Sequence, residues 1–313
     1  MANKLHISVS PHIHSKVSTQ RIMLDVLISL LPATIAGVVI FGLEALLVIA
    51  VCVAVSVLSE FVFNKIVKKP LTIGDLSAAV TGLLLALNLP ANIPLWQAGV
   101  GSLFAIVIVK CIFGGIGKNV VNPAITGRVF MLIAFTSMTT AAFPLDSTAG
   151  ATPLAGIASG NEVVLTDLLL GNVGGSIGET CKVALLIGGV YLLVRRVITW
   201  HIPVAFIATT FIFTLAVHEF DFMLALSLVL SGGLIIGAFF MATDYVTSPT
   251  TPLGKIIFGI GAGLITVLIR EWGIYPEGVS FAILIMNILN PYIDSLTARK
   301  MFGGAKKWNI LKV

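Results

Sequence analysis

The stretch Asp146-Ser-Thr-Ala-Gly-Ala-Thr-Pro-Leu-Ala-Gly156 concentrates hydroxyl groups among small side chains, with one carboxylate, Asp146, at its start. Hydrolytic chemistry is excluded here, because no His, Cys or second base stands nearby to activate a hydroxyl. A metal site is excluded too, since Asp146 is the single strong ligand. The pattern does allow modification by another enzyme. Gly150 and Ala151 leave room around the Thr152 hydroxyl, and Pro153 restrains the backbone just after it. Thr148 is the other threonine of the loop.

Further polar groups interrupt apolar surroundings. Asp25, Glu60, Asp75, Asp244 and Asp294 lie within or at the ends of hydrophobic runs. An ionised carboxylate at the bilayer centre costs on the order of 3 kcal/mol, so such groups face partners or water. Asp25, Glu60 and Asp294 are placed where an interface can solvate them. Asp75 and Asp244 fall in interrupted segments and are the candidates for cation handling. Asn122-Pro123 and Asn290-Pro291 read as helix breaks whose Asn side chains satisfy freed backbone groups. His12 and His14 provide two ligands without a third, a poor metal site. Cys52, Cys111 and Cys181 lie far apart with no CxxC spacing, and read as small apolar side chains.

The elements that must position these groups are set by composition. Of the 313 residues, 57% are hydrophobic and only 11% charged, and the mean hydropathy is +1.05. Such a chain is an all-α polytopic membrane protein. Apolar windows bounded by Gly, Pro and charge predict about ten transmembrane helices, at 22–41, 43–64, 74–90, 95–113, 123–141, 177–194, 200–218, 222–241, 255–272 and 278–296. The first 21 residues are polar, without an apolar core or small-residue cleavage site, and no removable signal peptide is expected there.

Alternation of ten spans from an inner N-terminus leaves only Lys182 and Arg270 on the outer side, so 17 of the 19 Lys and Arg fall inside. That bias predicts that both termini are cytoplasmic. The net charge of +5 is dispersed over short loops and excludes a nucleic-acid surface. The expected organisation is a cytoplasmic segment 1–21, a first five-helix repeat 22–141, an outer loop 142–176, a second repeat 177–296 and a basic tail 297–313 suited to anionic lipid or a soluble partner. Gly99-Val-Gly-Ser-Leu-Phe-Ala-Ile-Val-Ile-Val-Lys110 is echoed by Gly259-Ile-Gly-Ala-Gly-Leu-Ile-Thr-Val-Leu-Ile-Arg270. Because five is odd, the repeats must be inverted, and inverted repeats place a site between the halves where helices are broken.

Several motifs in order carry a resemblance over nearly the whole chain: Ser10-Pro-His-Ile-His-Ser-Lys16, Arg21-Ile-Met-Leu-Asp-Val26, Asp75-Leu-Ser-Ala-Ala-Val-Thr-Gly82, Gly117-Lys-Asn-Val-Val-Asn-Pro-Ala124, Ala242-Thr-Asp-Tyr-Val-Thr-Ser-Pro-Thr-Thr-Pro252 and Met286-Asn-Ile-Leu-Asn-Pro291. The chain resembles the family of the D subunit of Rnf complexes, ion-translocating ferredoxin:NAD oxidoreductases, and of the B subunit of sodium-pumping NADH:quinone reductases. The resemblance implies FMN joined through a phosphodiester to Thr152 by an extracytoplasmic flavin transferase that reads a pattern close to D-x-x-[S/T]-G-A-T. Asp146, Gly150, Ala151 and Thr152 match it, and Ala149 departs from it. It further implies a non-covalent riboflavin toward the cytoplasmic side; Asn122, Asp75, Asp244 and Asn290 are the candidates for that second-flavin site or for an ion site. The implied partners are the membrane iron–sulfur subunits, the extracytoplasmic FMN-bearing G subunit, and the B and C subunits on the cytoplasmic ferredoxin and NADH side.

The implied role is electron carriage within a pump for Na⁺ or H⁺, without direct catalysis toward NAD, since no dinucleotide-binding GxGxxG follows a strand. A small-solute channel or secondary transporter of inverted-repeat fold is the alternative, because fold alone does not separate the two.

Overall fold

Caps and prolines decide where the helices begin. The computed structural model describes residues 18–135, 154, 165–273 and 277–298. Ser18 accepts a hydrogen bond from the Arg21 N–H at 3.3 Å and opens α1 (Thr19–Phe41), which runs through Pro32. A glycine at φ 72° separates it from α2 (Leu43–Ile66). The short helix α3 (Ser77–Leu87) precedes α4 (Leu95–Cys111), whose part from Phe104 is π-wound. Asn122 and Pro123 start α5 (Pro123–Ala134). The later helices are α6 (Leu165–Leu170), α7 (Lys182–Val194), α8 (His201–Val217), α9 (Phe222–Leu230), α10 (Leu234–Met241), α11 (Pro252–Trp272) and α12 (Val279–Thr297).

Among the described residues no sheet forms. Helices α1, α2, α11 and α12 are long and apolar enough to cross a bilayer, and α9 with α10 makes a fifth span bent by 66°. The remaining apolar helices are shorter, although one lies at each expected place. Large apolar side chains such as Val39, Val194 and Leu296 stand more than 70% exposed, which suits acyl chains and not water.

Four expectations need correction. The segment 222–241 is not one straight helix: Ser231, Gly232 and Gly233 break it, with Gly232 at φ 66°. Helix α7 starts at Lys182, and residues 177–181 are a turn that folds back into the bundle. Asn290-Pro291 is no break, since α12 continues to Thr297. Lys110 and Arg128, counted as loop charges, are buried at 1% and 6% exposure.

Two ends of the bundle are defined by contacts between helix termini. At one end Arg195 after α7 pairs with Asp25 in the second turn of α1, at 3.3 Å. Lys255 at the start of α11 donates to Thr199 before α8, and Asp294 near the end of α12 accepts from Thr250. The exposed Lys65, Lys68, Lys69, Lys118 and Arg196 also lie at helix termini of this end, here termed the basic end. At the opposite end His218 after α8 meets Glu271 of α11 at 3.0 Å. Packing follows a paired scheme: α2 lies on α3 and α4, α8 lies on α9 and α11, α1 lies on α7, and α5 meets α12. Glycine permits the closest approach. A Cβ at Gly188 of α7 would overlap the Ser29 carbonyl oxygen of α1.

Candidate functional site

A cavity of about 430 Å³ opens between the halves at the basic end. Helices α1, α3, α5 and α7, the ends of α4 and α10, and the turn after α10 supply its walls. Volumes of roughly 300–1,000 Å³ with apolar walls and a few convergent polar groups are typical of small-molecule sites. Met23, Val26, Leu192, Phe239 and Phe240 give the apolar wall, and Thr81, Asn119, Asn122 and Asp244 the polar one.

Asn122 is held twice. Its Oδ1 caps α5 by accepting from the N–H groups of Ala124 and Ile125 at 3.0 and 3.3 Å. Its Nδ2 donates to the Met241 carbonyl at 3.2 Å, which stitches α5 to the end of α10. Asn287, with its amide turned to suit its neighbours, accepts from the Asn122 backbone N–H at 3.2 Å and donates to the Thr247 carbonyl at 3.1 Å. Asp244 accepts from the Thr247 hydroxyl at 3.1 Å. Asn119 Oδ1 is buried and has no partner among the described residues. An unpaired acceptor on a cavity wall is what a bound ligand or water would satisfy.

Both π-wound segments end on this cavity. The Ile112 N–H bonds back to the Val107 carbonyl, and the Ala242 N–H to the Gly237 carbonyl, five residues apart in each case. The extra residue per turn rotates the next stretch of chain, and π-windings recur at functional sites. Here they accompany Lys110, Phe239 and Phe240 on the lining. Lys110 donates to Glu60 Oε2 at 2.9 Å and to Ser77 Oγ at 2.6 Å. Ser77 Oγ donates in turn to Asp75 Oδ1 at 2.5 Å, while Glu60 Oε1 accepts from Thr72 at 2.7 Å.

The structure therefore gathers Asn122 and Asp244 on one wall and reaches Asp75 through Ser77. Asn290 is buried with its Oδ1 unpartnered among the described residues, but it is not on the lining. Asp146, Gly150, Ala151 and Thr152 lie outside the described residues. Two residues beyond Thr152, Leu154 packs buried against Leu228 and Leu224 of α9. Sequence reasoning missed Lys110 and Asn119. The Gly117-Lys-Asn-Val-Val-Asn motif carried Asn119, whereas nothing local marks Lys110 as paired with Glu60, fifty residues away.

A second polar centre lies deeper. Arg128 donates to Asn88 Oδ1 at 3.0 Å and Ser280 Oγ at 3.1 Å, and pairs with Glu277. Lys182 donates to the carbonyls of Glu179 and Gly232. Arg270 donates to the carbonyls of Leu228 at 2.8 Å and Ser231 at 3.3 Å. The turn before α7 presses against the end of α3, where Ile177 and Gly178 donate to the carbonyls of Leu89 and Leu87. A Cβ at Gly178 would come within 2.5 Å of Leu87 Cβ, so only glycine fits this approach. Among the described residues no cluster of three or more His, Cys, Asp or Glu could hold a metal.

Comparison with known proteins matches this sequence to a family. The profile of the NQR2, RnfD, RnfE family matches residues 6–303. The chain is 47% identical over 310 residues to the D subunit of the Na⁺-translocating ferredoxin:NAD⁺ oxidoreductase complex of Acetobacterium woodii, covering 96% of each. It is 42% identical over 321 residues to the D subunit of the proton-translocating ferredoxin:NAD⁺ oxidoreductase complex of Clostridium ljungdahlii, covering 96% of this chain and 97% of the relative. The D subunit of an ion-translocating oxidoreductase complex of Marinobacter nauticus is 38% identical, with 95% of each covered. With its apolar spans and these matches along its length, the chain is a multi-pass membrane protein and belongs to the NQR2, RnfD, RnfE family.

Proposed function

We propose that the chain is the membrane electron-carrier subunit of a Rnf-type ferredoxin:NAD oxidoreductase that drives Na⁺ or H⁺ across the cytoplasmic membrane. The observation that carries this reading is identity of 47% and 42%, over 96% of the chain, to two proteins named as the D subunit of such complexes. Ten spans in two inverted repeats are part of the proposal. The paired packing of α2 on α3 and α4, matched by α8 on α9 and α11, supports them. Cytoplasmic termini are supported by the gathering of exposed Lys and Arg at the basic end.

In this reading Thr152 carries FMN on the outer side, and the cavity at the basic end takes a second, non-covalent flavin such as riboflavin. A flavin supplies one- and two-electron redox chemistry, and the protein supplies position and electrostatics. The cavity suits a flat heterocycle with one apolar and one polar edge. Phe239, Phe240 and Met23 exclude water from the apolar edge, while Asn119 Oδ1 and the Asp244 carboxylate offer acceptors to an imide N–H. Asn122 and the Lys110–Glu60 pair fix the polar wall in one geometry. On the outer side Leu154, anchored against α9, limits the travel of a group held at Thr152. The other Rnf subunits deliver and accept the electrons.

Two flavins predict two separable losses. The denatured chain from cells that hold the transferase should fluoresce yellow-green in the gel under ultraviolet light, and Thr152→Ala should be dark while still inserting in the membrane. Flavin released from the native chain by acid precipitation should fall several-fold in a double Asn119→Ala, Asp244→Ala variant, with the covalent band unchanged. A dark wild-type band refutes the covalent assignment. Equal released flavin in the two proteins refutes the cavity assignment.

A further inference from the structure

We propose that this chain is built to bar cations, with its own ammonium and guanidinium groups occupying the mid-depth position where a broken-helix transporter would bind an ion. The inference goes beyond the electron-carrier reading and does not depend on either flavin.

Depth comes from helix lengths. Helix α3 has 11 residues and rises roughly 16 Å from the basic end, about half of a ~30 Å hydrocarbon core. Asn88 caps it there. From the opposite end α9 has 9 residues, roughly 13 Å, and stops at the Ser231–Gly233 break. The two half-helices thus meet near the centre. Broken helices of this kind present unpaired carbonyls, and in secondary transporters such carbonyls coordinate Na⁺ or accompany a proton site.

At the end of α3 the Leu87 and Leu89 carbonyls are met by the backbone N–H groups of Gly178 and Ile177, while those at the α9 break are taken by charge. Lys182 Nζ sits on the Glu179 and Gly232 oxygens, and Arg270 sits on the Leu228 and Ser231 oxygens. Arg128 crosses between the halves, from Asn88 on one side to Glu277 and Ser280 on the other. Glu179 faces Arg128 and Lys182, and Glu277 faces Arg128, Glu179 and Arg270, so all five groups form one cluster. Three cations stand against two carboxylates within the cluster, while Glu271, which also faces Arg270, is engaged by His218 at 3.0 Å on the far side. A Na⁺ or hydronium ion entering would meet net positive charge in a low-dielectric setting, as at the arginine constrictions that exclude cations from other pores.

The cavity makes the barrier necessary. It lets small molecules in from the basic end, and its walls include Leu84 and Ala124. These residues lie one helical turn from Asn88 and Arg128. There is little spare room beyond them: a Cβ at Gly233 would stand 3.2 Å from Glu179 Oε2 and 3.4 Å from Arg128 Nη1. A cavity open to one side of the membrane under a transmembrane potential needs a seal at its blind end, and the cluster lies where that seal must be. Ion movement in the complex then runs through other subunits.

The test uses the purified full-length chain in liposomes, with ²²Na⁺ uptake and an enclosed pH dye under an imposed potential. Wild type should match protein-free vesicles for both ions. Lys182→Met and Arg270→Met, in monodisperse preparations, should raise Na⁺ or proton flux by roughly tenfold or more, whereas Lys182→Arg should stay tight. Monodisperse charge-deleted variants that remain as tight as wild type overturn the proposal. So does a wild-type chain that conducts either ion, and that result decides even where a variant fails to fold.

Discussion

Lys110 shows how much one side chain can depend on a partner distant in sequence. Lys110 and Glu60 are both 2% exposed at the side chain, and their atoms meet at 2.9 Å. Breaking a buried pair strands the remaining charge and costs about 3–5 kcal/mol, whereas replacing both partners with apolar groups of similar volume is often neutral. We therefore expect Glu60→Gln to lower the thermal midpoint in detergent sharply. The double variant Glu60→Leu, Lys110→Met should recover most of that loss. If single and double variants are equally unstable, the pair matters through Ser77 and Asp75 and not through its own charge balance. Because Lys110 lines the cavity, the double variant should also release less flavin than wild type while its fold survives.

At the scale of elements, close helix contacts are set by residues with no side chain. Gly188 of α7 rests on the Ser29 carbonyl of α1, and Gly189 beside it meets the Phe239 ring of α10. Gly188→Val should separate α1 from α7, widen the cavity mouth and cost about 1–3 kcal/mol through overpacking. Gly74→Ala, where nothing lies within 4 Å of the new Cβ, should be close to neutral. Thermal unfolding of the two variants side by side checks this. The same scale shows what a reader of the sequence can see. Apolar windows locate the helices because hydropathy acts over a whole segment. The breaks are harder, because they depend on what satisfies the freed backbone groups. Asn122-Pro123 begins a helix and Asn290-Pro291 sits inside one, although the dipeptide is the same. The Ser231-Gly-Gly break lies unmarked inside the expected span 222–241, and its meaning comes only from Lys182 and Arg270, which reach it from α7 and α11. Asn122 and Asp244 stood out as polar residues in apolar company. Arg128 did not, because beside Lys118 it looked like one more charge in a basic loop.

For the whole molecule, orientation links the two proposed cofactor positions. Among the described residues, the exposed Lys and Arg lie at the basic end, while of the two that charge counting put outside, Lys182 is buried and Arg270 is half-buried. The asymmetry on the surface is thus stronger than the count suggested. In the proposed orientation the cavity faces the cytoplasm and Thr152 the outside, as the positive-inside rule would have it. Residue accessibility checks this directly. Of the native thiols, Cys52 and Cys111 are buried and Cys181 is half-buried, so a Cys181→Ala background leaves little to label. In it Glu219→Cys, exposed at the end of α8, should react with a membrane-impermeant maleimide on spheroplasts. Lys118→Cys, exposed at the basic end, should react only once the membrane is opened. The reverse pattern would place Thr152 in the cytoplasm, out of reach of an extracytoplasmic transferase. It would also turn the cavity outward, so one labelling experiment constrains both flavin positions and the side from which the cationic seal must hold.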